Sequence, residues 1–180
     1  VEAGVGSGGL SGYLLRAIGS TGTLHSFERR EDFARTAERN VQSFLGDHPI
    51  NWQVHVGDLQ DLLPGMADLQ GQVDRVILDM LAPWECFDAV EAALAPGGVL
   101  CVYIATTTQM SKFVELLRLR RAWTEPRAWE TLVRTWHLEG LAVRPDHRMI
   151  GHTGFLVTTR KLAPGVQPFL RRTKPAKGAY

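Results

Sequence analysis

The sequence lacks long apolar runs, paired cysteines and the signature motifs of two large enzyme classes. No apolar run approaches the roughly 20 residues that a membrane-spanning helix needs, so we expect no membrane association. Cys86 and Cys101 have neither a metal-ligand nor a redox spacing, which predicts reduced thiols, no bound metal and a cytoplasmic protein. Because the chain has neither a G-x-S-x-G elbow nor a G-K-[ST] loop, hydrolase and NTPase interpretations lack their central residues.

Acidic residues are missing from the last part of the chain. All 19 of them precede His147, whereas seven of the 20 basic residues follow it. A basic end on an acidic body favours contact with a polyanion, and the alternative is a solvated, irregular tail. Prolines after position 163 disfavour regular structure. We therefore expect one folded domain over residues 1–163 and a basic tail over residues 164–180.

Apolar residues are also scarce ahead of the first glycine turn. A buried first strand needs several of them, and only Val1 and Ala3 are available here. We therefore expect the natural chain to extend upstream. The 180 residues present, 44% of them hydrophobic, are still enough to bury a substantial core.

Glycines recur at alternate positions in the segment Glu2-Ala3-Gly4-Val5-Gly6-Ser7-Gly8-Gly9. A glycine turn between a strand and a helix is typical of nucleotide-like cofactor binding. The backbone can approach the ligand there, and the helix N-terminus favours polar or negative groups. Gly4, Gly6 and Gly9 fit the dinucleotide spacing G-x-G-x-x-G, whereas Gly4, Gly6 and Gly8 fit the G-x-G-x-G of methyltransferases. The loop alone leaves both interpretations open.

Strand and helix patterns alternate along the chain, which predicts an α/β protein with a doubly wound, mostly parallel sheet. Residues 130–138 fit either a strand or a helix, and Gly154 to Arg160 reads as a strand, so we expect a C-terminal antiparallel hairpin. The predicted strands are 23–28, 52–56, 73–78 and 99–105, and the predicted helices are 11–18, 31–44, 62–69, 86–94 and 109–122.

Acidic residues end three of the predicted strands, at the sheet edge where such folds bind ligands. Glu28 follows Gly8 at the distance typical of a ribose-binding carboxylate, although it could be a surface acid ahead of a helix. Asp58 could accept from an adenine amine or could cap the next helix. Asp79 follows a buried strand and should face a cleft, because an unpaired buried charge is costly.

The segment Asp79-Met80-Leu81-Ala82-Pro83-Trp84 is the strongest chemical signal. Pro83 stiffens this loop, and Trp84 offers a flat apolar surface on which a base could pack; the alternative places Trp84 in the core. His152, near the late strand, is a candidate to reach the same cleft; the alternative is a structural role, which is more common for a lone histidine.

Together these motifs resemble the class I S-adenosylmethionine methyltransferases. More narrowly, the chain resembles the tRNA (adenine-58-N1)-methyltransferases of the bacterial and archaeal single-subunit form. The narrow resemblance rests on Asp79 to Trp84, Leu94-Ala95-Pro96-Gly97-Gly98, Glu130 to Arg134, Arg144-Pro145 and Met149 to Leu156.

The resemblance implies a Rossmann-like catalytic domain over residues 1–163, preceded in the family by a small β-rich domain. S-adenosylmethionine would be the cofactor, tRNA the partner and a homotetramer the common assembly. It also assigns the site. The methionine part of the cofactor would be bound by Gly4, Gly6, Ser7 and Gly8, with Glu2 beside them. Glu28 would bind its ribose, and Asp58 would bind its adenine. Asp79 would be catalytic, orienting the adenine base through its N6 amine, and it would also be one of the cofactor-binding residues. The substrate-binding residues would be Pro83, Trp84 and His152.

Three alternatives stay open. The chain could be another S-adenosylmethionine-dependent RNA methyltransferase, or a catalytically silent tRNA-binding partner subunit. The third is an NAD-dependent oxidoreductase. That interpretation gives Glu28 a role in binding the cofactor ribose, but it gives no role to Asp58 or to the segment from Asp79 to Trp84.

Overall fold

A computed structural model describes residues 1–169, which form nine β-strands and five α-helices. The strands are β1 (Glu2–Ala3), β2 (Leu24–Glu28), β3 (Trp52–Val56), β4 (Val73–Asp79), β5 (Leu94–Ile104), β6 (Arg127–Trp129), β7 (Trp136–Glu139), β8 (Ala142–Pro145) and β9 (Phe155–Arg160). The helices are α1 (Gly9–Ile18), α2 (Glu31–Leu45), α3 (Leu59–Leu62), α4 (Phe87–Ala93) and α5 (Thr107–Arg120). Short 3₁₀ turns cover Leu63–Gly65, Ala67–Leu69 and Pro83–Cys86.

Seven strands form one sheet in the order β3-β2-β1-β4-β5-β9-β6. β1 to β5 are parallel to their neighbours, and β9 runs antiparallel to β5 on one side and to β6 on the other. β7 and β8 form a separate antiparallel hairpin. The predicted α/β sheet with an antiparallel C-terminal addition is confirmed. Strand β9 lies inside the sheet, between β5 and β6, and is not only one arm of a hairpin.

Apolar side chains fill both faces of the sheet. One cluster contains Phe27, Leu78, Phe87 and Phe113, and a smaller one beneath α1 and α2 contains Trp52. Burial of this apolar surface is the main term that stabilises the fold. Among residues 1–169, no helix has the length and apolar composition of a membrane span.

Helix α2 buries a different stripe from the one predicted. The spacing predicts that Phe33, Ala37, Val41 and Phe44 share the core side, but Ala34 takes the third buried position beside Ala37 and Val41. Phe33 lies under the guanidinium of its neighbour Arg30, and Phe44 packs against the ring of Tyr13. The small alanines let α2 lie close to the sheet, which displaces the large rings to its margins.

The Pro-Gly-Gly segment does not separate α4 from β5 as predicted. Leu94 pairs with Val73, pairing then shifts, and it resumes where Val99 meets Arg75. Residues 95–98 are therefore a bulge within β5. The predicted helix 86–94 divides at Phe87 into a 3₁₀ turn and α4.

Two basic residues near the C-terminal end hold backbone carbonyls of α4 and β5. Arg160 donates to the carbonyl of Gly97 at 2.9 Å, and Lys161 Nζ donates to the carbonyls of Glu91 and Leu94 at 2.6 and 2.7 Å. These two side chains brace the sheet. Of the predicted basic tail, residues 170–180 lie outside the described residues.

Candidate active site

The carboxyl ends of β1 to β5 meet at one edge of the sheet, and the strand order reverses between β1 and β4. Such a reversal opens a crevice because the following helices go to opposite faces. Ala3 pairs with both Phe27 and Leu78, so Gly4 lies between the ends of β2 and β4. The glycine loop, Glu28, Asp58 and Asp79 are therefore at the same edge.

Two glycines of the loop have different reasons to be glycine. Gly4 has φ +87°, and a Cβ there would lie 1.8 Å from the backbone oxygen of Asp79. Gly6 has φ +56°, and a Cβ there would meet no atom within 4 Å. Gly4 is thus required by the contact between β1 and β4, whereas Gly6 presents its backbone to open space. Beyond it, Ser7 is exposed and its carbonyl accepts from Asn40, while Gly8 is the left-handed N-cap of α1.

Glu28 is held by backbone donors on both sides. Its Oε2 accepts from the amide of Gly6 and its Oε1 from the amide of Arg30, each at 3.0 Å. The residue is only 7% exposed. Because each carboxylate oxygen has two acceptor positions, both oxygens can still accept from a ligand hydroxyl. The same contacts tie the glycine loop to β2.

Asp58 precedes α3, but its side chain does not cap that helix. Its Oδ1 instead accepts from Arg29 Nε at 2.6 Å, in a pair that bridges the ends of β2 and β3. The guanidinium raises the local positive charge and occupies one carboxylate oxygen. Among residues 1–169, the other oxygen of Asp58 makes no ion pair.

Glu2 lies inside the protein instead of facing the crevice. It is fully buried, and its Oε2 accepts from Ser11 at 2.8 Å and Ser26 at 2.7 Å. Its Oε1 is buried without a hydrogen-bond partner among the described residues. Burial raises the pKa of the Glu2 carboxyl, and the two serine hydrogen bonds oppose that rise. Glu2 therefore supports the underside of the loop and presents no surface to a ligand.

Asp79 ends β4, and its carboxylate makes no hydrogen bond or ion pair with any residue of 1–169. The residue is solvent-accessible, and the partial burial of its carboxyl raises its pKa. An acceptor-only group at a crevice edge, without a protein donor, can receive a hydrogen bond from a ligand amine.

The loop after Asp79 places its two predicted substrate residues differently. Pro83 is buried at the start of the 3₁₀ turn. Trp84 is half-buried, and Lys112 of α5 lies over its ring with Nζ 3.5 Å from the centroid. Trp84 thus carries a cation on one ring face, a contact that stabilises by about 0.5–1 kcal/mol at exposed sites.

His152 lies at the carboxyl end of β5. Its Nε2 is 2.7 Å from the carbonyl of Ala105, and because a carbonyl only accepts, Nε2 is the donor. The adjoining Gly154 is buried against Tyr103, whose hydroxyl donates to the carbonyl of Thr153 at 2.6 Å. Since Asp79 pairs with Tyr103, these contacts bring the His152 segment beside the end of β4.

Sequence reasoning missed three side chains at this edge: Arg29, Gln109 and Lys112. Gln109 could have been identified from the sequence, because Thr106-Thr107-Thr108-Gln109 matches the capping-box motif that marks the start of a helix. Arg29 contacts Asp58 and Lys112 contacts Trp84, and both partners are distant in sequence. No local sequence pattern identifies such partners.

The strand order, with β9 antiparallel inside an otherwise parallel sheet, defines the class as the class I methyltransferase fold. The family follows from comparison with known proteins. The chain belongs to the family described as the tRNA methyltransferase complex GCD14 subunit, whose model matches residues 1–143. This membership confirms the family resemblance. Of the two interpretations of the glycine loop, dinucleotide binding and methyltransferase, it supports the methyltransferase interpretation.

Curated relatives carry the narrower name. The chain is 35% identical over 169 residues to tRNA (adenine(58)-N(1))-methyltransferase TrmI of Thermus thermophilus, covering 89% of this chain and 60% of the relative. It is 29% identical over 179 residues to tRNA (adenine(57)-N(1)/adenine(58)-N(1))-methyltransferase TrmI of Methanocaldococcus jannaschii, covering 89% and 63%. The chain thus spans about three fifths of the length of these relatives.

Solved structures agree on the fold. A tRNA (m1A58) methyltransferase TrmI from Aquifex aeolicus matches with a TM-score of 0.74 and 25% identity, over 90% of this chain and 62% of that one. An S-adenosylmethionine-dependent O-methyltransferase from Thermotoga maritima matches with a TM-score of 0.78 and 29% identity, over 96% and 60%.

Proposed function

We propose that this chain is the catalytic part of a tRNA methyltransferase that transfers a methyl group from S-adenosylmethionine to N1 of adenine 58. One observation carries the proposal. In a chain of this family, the unengaged carboxylate of Asp79 lies at the same crevice edge as the glycine loop, Glu28 and Asp58.

The residues at the edge fit S-adenosylmethionine. The backbone of Gly6 faces open space, so a ligand can approach it without displacing a side chain. Glu28 keeps acceptor positions for two ribose hydroxyls, and Asp58 keeps one oxygen for the adenine amine. Gly4 and Gly8 shape the loop, and Ser7 lies exposed beside it. Glu2 positions the loop from below.

Bound S-adenosylmethionine supplies a methyl group activated by a positively charged sulfur. Since adenine N1 attacks with its own lone pair, little acid–base catalysis is needed, and positioning contributes most. Asp79 accepts from the adenine N6 amine, which orients the base and stabilises the positive charge that develops on it. Because the base is inside folded tRNA, it must be exposed first, at a cost of a few kcal/mol. We expect Trp84, which lies beneath Lys112, and His152 to contact the base.

We also propose that the full-length protein forms a homotetramer. The β7–β8 hairpin exposes the apolar side chains of Trp136, Leu138, Leu141 and Val143. An apolar patch of this kind marks an interaction surface, and a second copy of this chain is the occupant we expect. Sedimentation velocity of the full-length protein should give the mass of four chains, and a monomeric mass would contradict the assembly. A cytoplasmic location is consistent with the free thiols of Cys86 and Cys101.

The decisive experiment uses full-length protein, labelled S-adenosylmethionine and unmodified tRNA transcript, followed by digestion to locate the label. Label at N1 of adenine 58 supports the proposal. Label elsewhere in the RNA keeps the methyltransferase and rejects the target. Cofactor binding without transfer contradicts the proposal and leaves a silent partner subunit or an enzyme with a different acceptor.

A further inference from the structure

The first turn of α5 faces the loop that follows Asp79. Thr106 caps this helix: its Oγ1 accepts from the Gln109 amide at 3.2 Å. In return, Gln109 Oε1 accepts from the Thr106 amide at 3.1 Å and from the Thr106 hydroxyl at 2.9 Å. This reciprocal capping box satisfies backbone donors that the helix itself leaves unpaired.

The same side chain makes one further hydrogen bond. Gln109 Nε2 donates to the carbonyl of Leu81 at 3.0 Å, two residues beyond Asp79. The amide has one possible orientation here. Reversing it would place its NH₂ group against the Thr106 amide donor and its oxygen against the Leu81 carbonyl. One planar group therefore joins the helix cap to the loop.

Other contacts anchor the loop on both sides of Leu81. Cys86 Sγ lies 3.5 Å from Met80 Sδ, and Pro83 is buried. One turn along α5 from Gln109, Lys112 lies over the Trp84 ring. The Leu81 side chain is 81% exposed and contributes little packing, so its carbonyl is the point at which α5 holds the turn.

We infer that Gln109 is a positioning residue for methyl transfer: its amide fixes the turn at Leu81 and thereby the direction in which Asp79 faces the base. The inference rests on the proposed function, since it assigns Gln109 a role through Asp79. A glutamate at this position caps a helix at least as well as glutamine, but it has no proton to donate to Leu81. Of the two residues that complete a capping box at this position, glutamate and glutamine, the chain thus has the one that can also donate.

Gln109→Glu in the full-length protein separates the two roles. The carboxylate keeps the capping box, so Tm should stay within about 2 °C of wild type. It removes the hydrogen bond to Leu81, and kcat for tRNA methylation should fall about 10-fold or more. Kd for S-adenosylmethionine should stay within about threefold, because the residues proposed to hold the cofactor lie outside this turn. Any rise in KM for tRNA should be smaller than the fall in kcat, since the turn contributes only part of the tRNA contact. Gln42→Glu on the exposed face of α2 controls for the added charge.

Hydrogen exchange gives a readout that needs no activity. Amides of residues 80–86 should exchange at least about fivefold faster in Gln109→Glu, while those of α5 keep their protection. The inference is overturned by a kcat within twofold of wild type, or by unchanged exchange in the loop. If wild-type protein binds S-adenosylmethionine but does not methylate tRNA, the proposed function fails first. Unchanged loop exchange would then overturn the Gln109 tether separately, and faster exchange would support it.

Discussion

The two halves of the crevice edge differ in how their carboxylates are held. On the β1–β2 side, Glu2 and Glu28 accept from serine hydroxyls and backbone amides. On the β4–β5 side, the Asp79 carboxylate has no hydrogen-bond or ion-pair partner among residues 1–169, although Gln109 holds the loop that follows it. One half is preorganised by the protein, and the other leaves its functional group for a substrate to satisfy.

This difference matches what each half is proposed to bind. A cofactor bound in every turnover benefits from donors and acceptors already in place, because less ordering is needed on binding. A base recognised through Asp79 should strengthen its contact as charge develops, and only such contacts accelerate the chemical step. Substitutions on the two sides should therefore affect different constants.

The largest effect is expected on the open side. Asp79→Ala removes the acceptor for the adenine amine, and kcat should fall by about 10²–10³-fold, the usual cost of losing a group that stabilises transition-state charge. Kd for S-adenosylmethionine should change by no more than about threefold. Single-turnover transfer to tRNA and calorimetry measure the two constants. Full activity of the variant would refute the catalytic assignment.

A smaller effect is expected on the preorganised side. Glu28→Gln leaves one acceptor oxygen where two are used, so Kd for S-adenosylmethionine should rise by about 10- to 100-fold, as for lost hydrogen bonds to a charged group. At saturating cofactor, kcat should recover to near the wild-type value. Glu31→Gln, three residues along on an exposed turn of α2, is the matched control. An equal loss in both variants would remove the distinction between the two halves.

The smallest effect concerns stability. Partial burial raises the pKa of Asp79, so the folded state binds its proton more tightly than the unfolded state does. Ionisation of Asp79 therefore destabilises the fold above that raised pKa, and Asp79→Asn should increase Tm at pH 7, on the order of 1 °C. The gain should disappear below about pH 4, the ordinary aspartate range. Thermal melts across pH 3 to 8 measure it, and a gain independent of pH would point to another cause.

Much of the fold follows from patterns along the chain. Alternating strands and helices place Glu28, Asp58 and Asp79 at strand ends, and parallel strands bring those ends to one edge. The sequence does not reveal whether a carboxylate there is satisfied. Glu2 lies one residue before the end of β1 and Asp79 ends β4, yet Glu2 is buried with two serines whereas Asp79 faces solvent.

The failures have a common physical cause in contacts between distant residues. Arg29 reaches Asp58 on the neighbouring strand, and Lys161 reaches carbonyls at the end of α4. Phe33 and Phe44 lie outside the buried face of α2, contrary to the prediction, because the alanines of this helix pack against the sheet in their place. Periodicity reports which side of an element is apolar, but the depth of burial depends on what the rest of the chain places against it.

The position of β9 also affects how the chain is made. β5 ends at Ile104, whereas the strand that covers its free edge begins at Phe155, roughly fifty residues later. At synthesis rates of about 5–20 residues per second, the ribosome needs roughly 3 to 10 s to make that interval. During this time β5 presents an unpaired edge, the feature through which nascent chains pair wrongly with one another. The edge of β5 can therefore be covered only after β9 has left the ribosome.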